Sequence, residues 1–154
     1  MKRKTNKDKG FTLVELIVVL VILAILAAIL VPALLGYIDR AREKQYVLNA
    51  RSYLTASQAE LSSIYGEGLE PSEIENRTTT VSSTADVPDC TGFVVYCGKD
   101  TVSEGSHAIS TNHDAYTVKR AKYTEGTTTL YYNGSSWTKT EPTDLSNFDS
   151  YTVK

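Results

Sequence analysis

Lys9-Gly10-Phe11-Thr12-Leu13-Val14-Glu15-Leu16 opens the stretch that decides the fold. From Phe11 to Ile38 the only conventionally polar side chains are Thr12 and Glu15, and Leu16 to Val31 is unbroken aliphatic. A helix needs roughly 20 apolar residues to cross a bilayer core. Residues 11–36 supply them, and Gly36 with Asp39, Arg40, Arg42, Glu43 and Lys44 marks the exit. Upstream, Lys2, Arg3, Lys4, Lys7 and Lys9 stand against Asp8 alone, a net charge of +4. Such a leader stays cytoplasmic by the positive-inside rule and sends the rest of the chain outside. The whole 154-residue chain carries -2, so residues 11–154 sum to -6. Its mean hydropathy of -0.20 averages a greasy first quarter with a polar remainder. These patterns exclude a simple cytosolic globular enzyme and, with no second apolar run, a multi-pass membrane protein. A basic nucleic-acid binder is not indicated, and no nucleic-acid partner is expected.

Two plainer readings compete for this segment. A secretory signal peptide has a shorter apolar stretch followed by a small-residue cleavage site. Here the stretch is too long, its only Ala-x-Ala-like candidates (Ala24–Ala28) lie inside it, and the small residue Gly10 precedes it. A plain signal anchor fits the hydropathy but leaves Glu15 unexplained. A lone carboxyl in a membrane helix costs roughly 2.5–3.5 kcal/mol when central and less near an interface, so it marks function by default. The helix offers no cation at that depth. The partner comes from another molecule or from a new N-terminal amine, which cleavage before Phe11 would create.

The run Lys9 to Leu16, with its basic leader and aliphatic tail, closely resembles the processing site of type IV prepilins. The resemblance covers about residues 1–55; beyond that it is architectural. It implies that prepilin peptidase cuts after Gly10 on the cytoplasmic side and methylates the Phe11 amine. It implies that Glu15, fifth in the mature chain, neutralises the Phe11 amine of a neighbouring subunit during assembly. Burying either charge alone is expensive, whereas pairing them offsets much of the cost and fixes register. Pro32 matches a helix-kinking proline of many pilins, where it removes a backbone donor and crowds the preceding turn. The family often has a glycine eight residues earlier that helps the helix melt. Ala24 stands there instead, and it is a strong helix former.

Beyond the membrane segment Val47, Leu54 and Leu61 repeat every seven residues, with Ala50, Ser57 and Ile64 between them. That is one apolar stripe on an amphipathic helix. Gly66-Glu67-Gly68 and Pro71 stop it near Tyr65, giving a helix over 11–65 about 80 Å long. Its 11–36 half meets lipid or sister helices, and its 37–65 half needs a cover from residues 66–154. Residues 66–90 predict loop with a short helix after Pro71, and the Ser/Thr-rich run Thr78–Thr84 predicts surface loop. Over 91–154 the strand signals are Phe93–Tyr96, Tyr116–Tyr123, Thr127–Tyr132 and Ser136–Thr140, with turns at Glu125-Gly126 and Asn133-Gly134. The last three form an antiparallel meander that lays one face on the helix stripe. Asp149-Ser150-Tyr151-Thr152-Val153-Lys154 echoes Asp114-Ala115-Tyr116-Thr117-Val118-Lys119, so the C-terminal segment can form a strand too. Most of the ten tyrosines are expected half-buried, with their hydroxyls in water. The fold class is α+β: a long N-terminal helix packed against a small antiparallel sheet, which is the pilin fold by resemblance.

Cys90 and Cys97 are the only cysteines. Export permits a disulfide and the even count suits one. An extended segment would hold them about 20 Å apart, however, so a bridge requires a turn, and Gly92 is the obvious place. Pilins often staple the head with a disulfide, usually around a C-terminal loop; bridge and free thiols both stay open. As a tetrahedral metal set, Cys90, Cys97, His107 and His113 have the right atoms but lack the tight Cys-x₂₋₄-Cys spacing, so no metal is expected. Asp144, Asn147 and Asp149 lack the dense pattern of a calcium loop. Asn76-Arg77-Thr78 and Asn133-Gly134-Ser135 match the glycosylation triplet without further support. Lys119, Arg120 and Lys122 are the one basic cluster of the head, and a solvated strand face explains them. No catalytic constellation is present, and neither an enzyme activity nor a cofactor is expected.

The resemblance implies a structural subunit of a type IV pilus, a helical homopolymer for adhesion, motility or aggregation. Its partners would be prepilin peptidase, the pilus assembly machinery, and the cytoplasmic membrane before export to an extracellular filament. The alternatives are a pseudopilin or minor pilin of a type II secretion or competence system, and an uncleaved membrane-anchored exported domain.

Overall fold

The computed structural model describes residues 10–99 and 113–154. Two compact units divide the chain, one up to Arg42 and one from Glu43 to Lys154. A single helix, α1 (Leu13–Glu67), enters both.

In the first unit every large apolar side chain from Leu13 to Leu35 is at least half exposed. The helix there has backbone satisfaction but no tertiary burial, so only a non-aqueous surrounding makes it stable. α1 continues through Pro32 despite the lost donor. It is the one helix among the described residues long and apolar enough to cross a membrane, with a window of mean hydropathy 3.3.

In the second unit α1 buries Ala50, Tyr53, Ala56, Ser57, Leu61 and Ile64. The expected stripe is present but rotated: Val47 and Leu54 lie at its margin and Tyr53 at its centre. The helix ends at a Schellman turn. Gly68 takes φ +76, its N–H donates to Tyr65 O at 3.1 Å, and Leu69 N–H donates to Ile64 O at 3.1 Å. A 3₁₀ turn (Pro71–Arg77) and the short helix α2 (Thr78–Ala85) follow. The surface loop expected at Thr78–Thr84 is therefore helical. Its hydroxyl residues are weak helix formers, but Val81 and Ala85, one turn apart, are buried in the core. Asp86 then closes the helix in the left-handed region, φ +53.

Five strands make one antiparallel sheet in the order β4-β3-β2-β1-β5. They are β1 (Cys90–Cys97), β2 (Val118–Glu125), β3 (Thr128–Tyr132), β4 (Trp137–Thr138) and β5 (Asp149–Thr152). The expected meander is β2-β3-β4, and β1 extends it by pairing Val95 with Ala121. β5 returns to the far side of β1, pairing Tyr151 with Val95. Gly126, φ +56, occupies the first of two central positions between β2 and β3, as a II′ hairpin requires. Between β3 and β4 the connection is four residues, 133–136, longer than a two-residue turn. Asn133 Oδ1 accepts Ser135 N–H at 3.0 Å and Ser136 N–H at 2.9 Å, so the side chain takes up the turn's donors. Tyr116, expected to start β2, sits instead in a 3₁₀ turn (His113–Tyr116) and donates its hydroxyl to Leu69 O at 2.8 Å.

The core is an aromatic triangle flanked by aliphatics. Tyr53 lies 5.1 Å from Phe93 and 6.1 Å from Tyr123, ring centre to ring centre. Leu61, Ile64, Ile74, Val81, Val95, Leu130 and Val153 complete it. Each such side chain contributes about 1.5–3 kcal/mol on burial. Tyr53 and Tyr123 are fully buried, against the expectation of half-buried tyrosines. Tyr123 keeps a polar partner inside: its hydroxyl donates to Glu125, which also accepts from Asn49 Nδ2 at 2.9 Å.

Candidate processing and assembly site

Gly10 has open space around it, and Phe11 is 86% exposed. The two residues present an accessible peptide bond just before the helix begins. Thr12 is the N-cap. Its backbone N–H donates to Glu15 Oε2 at 2.8 Å, its hydroxyl to the same oxygen at 2.7 Å, and Glu15 N–H returns to Thr12 Oγ1 at 3.3 Å. This is a reciprocal capping box, which starts α1 immediately after the Gly10-Phe11 pair. The Thr-x-x-Glu spacing that signals it is plain in Thr12-Leu13-Val14-Glu15, although the charge of Glu15 alone points only to assembly. Glu15 Oε1 has no hydrogen bond among the described residues. From Leu13 to Ile38 Glu15 is the only ionisable carboxyl on the helix. A singly committed carboxylate within an exposed apolar rod is suited to receive a cation from outside the molecule.

The other candidates are not brought together. Cys90 and Cys97 are free, buried, and at opposite ends of β1, which holds their α-carbons about 20 Å or more apart. No disulfide joins them. Gly92 does not turn the chain; it sits where the β1–β2 register shifts between Cys90 and Gly92, a bulge within a continuing strand. Burial pushes the Cys97 thiol up to about 12. Burial also raises Cys90, opposed by the Gly92 backbone and the Tyr53 phenol. Neither thiol has the exposure or the low pKa of a reactive cysteine. His113 shares a hydrogen bond with the Tyr65 hydroxyl, 3.1 Å from Nε2 to oxygen, far along the chain from either cysteine in β1. His107 lies outside the described residues. Among the described residues no three His, Cys, Asp or Glu side chains are grouped to hold a metal.

The basic cluster is occupied. Lys119 pairs with Asp114 at 2.8 Å, and Arg120 Nη2 with Asp144 at 2.6 Å. The Arg120 guanidinium also covers Phe148 at 5.3 Å, and Lys122 lies over Tyr131 at 5.9 Å. These cations fasten the β4–β5 connection and the sheet's outer face. Asp144, one of the three calcium candidates, is thereby committed to an arginine.

Residues 5–31 match the family model of the prokaryotic N-terminal methylation motif. The chain carries the class III signal peptide of the type IV pilin-like proteins. No curated protein and no solved structure matches it. The long apolar helix joined to an α+β head with a five-stranded antiparallel sheet fits the pilin fold. The motif implies processing by prepilin peptidase and assembly into pilus-like polymers, and the apolar helix near the N-terminus fits membrane anchoring. The matched stretch contains Gly10, Phe11, Thr12 and Glu15.

Proposed function

We propose that this pilin-like protein is the structural subunit of a type IV pilus. Prepilin peptidase removes residues 1–10 by cutting after Gly10, and the new Phe11 amine is methylated. The 11–36 helix leaves the bilayer for the filament core, and residues 66–154 with the second half of α1 form the exposed head. During docking the Oε1 atom of Glu15 receives the Phe11 ammonium of a neighbouring copy, while Thr12 holds Oε2. Pairing the two charges removes the penalty of carrying each alone through an apolar core. The protein acts by assembly and performs no catalysis.

One observation carries this reading. The Gly10-Phe11 bond is followed by a helix whose exposed apolar face contains a single half-satisfied carboxylate. Shearing native cells and probing the released material with antibody to the head tests it. Long filaments built chiefly of this chain support the major-subunit reading. Short cell-bound pseudopili, or filaments containing only traces of it, contradict that reading and favour a pseudopilin or minor pilin.

A further inference from the structure

The Glu43–Lys154 unit contains a pocket of about 380 Å³ walled by Tyr46 and Val47 of α1 and by Leu130 and Trp137 of the sheet. At its rim Glu43 and Lys139 pair at 2.6 Å, both well exposed. Trp137 stacks on Tyr132 at 5.5 Å, and its buried indole N–H has no acceptor among the described residues. Thr128 and Thr138 complete the lining, so an apolar wall faces polar groups that can fix an occupant's orientation.

Among the described residues of the same unit the most exposed large apolar side chain is Leu48, 61% exposed. The helical repeat puts it on the side of α1 facing away from the buried Ala50, Tyr53, Ser57, Leu61 and Ile64. Arg51, nearly one turn further on, is exposed and has no acidic partner among the described residues. An apolar knob with a cation beside it thus occurs on one face, and an apolar hole with a carboxylate at its rim on another.

We propose that in the polymer Leu48 of one copy seats in the Tyr46–Val47–Leu130–Trp137 pocket of the next, with Arg51 reaching that copy's Glu43. This rests on the filament reading above. Knob and hole are different surfaces, so the contact is heterologous and propagates to an open assembly without closing on a pair. The surface pair Glu43–Lys139 is weakly held and yields to an added arginine at little cost.

Filaments carrying both Leu48→Cys and Thr138→Cys, oxidised with copper phenanthroline, test the contact; the native thiols are buried and stay silent. The expected result is a ladder of subunit multiples on a non-reducing gel, collapsing on reduction and absent from each single substitution. Filaments at normal yield that remain monomeric after oxidation would overturn the contact while leaving the filament reading intact. A band that is not a multiple of the subunit would assign the pocket to another protein and overturn it too. Leu48→Glu, compared with Thr80→Glu at equal membrane content, gives an independent readout. A drop in sheared filament of about tenfold or more for Leu48→Glu alone is expected of an apolar anchor. Normal yield from Leu48→Glu would overturn the contact whether or not the cysteine pair assembles.

Discussion

The two halves of α1 are built from one continuous helix and solve opposite problems. From Leu16 to Leu35 the side chains are apolar all round and exposed, so the half is incomplete in water and finds its surroundings in lipid or other helices. After Glu43 the apolar residues narrow to a stripe, and that stripe is covered by the same chain: Tyr53 is fully buried against Phe93 and Tyr123. The first half leaves one oxygen of Glu15 and its greasy surface without partners among the described residues. The second half is self-sufficient: its stripe is closed over by the sheet of its own unit. Uniform hydrophobicity therefore marks the part that assembles, and amphipathic hydrophobicity marks the part that folds.

The largest effect should come from breaking the incomplete half. Glu15→Ala is expected to leave a chain that inserts normally, because losing a carboxyl makes insertion easier. Assembly should fall to near zero, measured as sheared filament against membrane content. Filaments at normal yield would refute the role given to Glu15. In the self-sufficient half the corresponding break is Tyr53→Ala, which empties the centre of the aromatic triangle. About 3–5 kcal/mol of head stability should be lost, as for other large aromatic truncations. Denaturant unfolding of the full chain in detergent, followed by Trp137 fluorescence, checks it. Loss below about 1 kcal/mol would mean that the head does not depend on covering the stripe.

Alkaline pH separates the halves more gently. Cys97 is pushed up to about 12 by burial, and Tyr123 is raised by burial and by Glu125. Both folded values lie above the unfolded ones, so the unfolded chain gives up these protons first. Their stabilising contribution is full below about pH 9 and is lost as pH rises toward about 12. The head should therefore soften at alkaline pH, and Cys97→Ala should reduce that sensitivity; an unchanged pH profile would contradict it. The smallest effect is expected at Thr12→Ala. Removing the cap costs about 1 kcal/mol at the helix start and frees Glu15 without deleting it. Filament yield should fall, but far less than for Glu15→Ala. Equal losses would mean that the box, and not the charge, drives assembly.

The first half of this contrast was legible from residue types alone, because a membrane helix is announced by composition and length. So were the helix stop at Gly68 and the Gly126 hairpin, where backbone chemistry leaves few alternatives. The head was only partly legible. α2 was hidden because its Ser and Thr residues speak for loop, and the burial of Val81 and Ala85 that overrules them is a long-range effect. Tyr53 was missed at the centre of the stripe because tyrosine is usually half-wet, and nothing local shows that Phe93 and Tyr123 will enclose it. The separation of Cys90 from Cys97 depended on whether Gly92 turned or bulged, and strand pairing on both sides of β1 decided for the bulge. At the candidate site the residues were evident, but their linkage through Thr12 was not. Thr-x-x-Glu lies at the head of an apolar run whose hydrophobicity dominates the local signal.

Cutting after Gly10 is what supplies the Phe11 amine that completes the exposed half. Intact mass with N-terminal sequencing of the protein from its native cells tests it most directly. The expected result is a chain that begins at a methylated Phe11 and has both cysteines reduced. A chain that retains Met1 to Gly10, or one that starts beyond Val31, would contradict it.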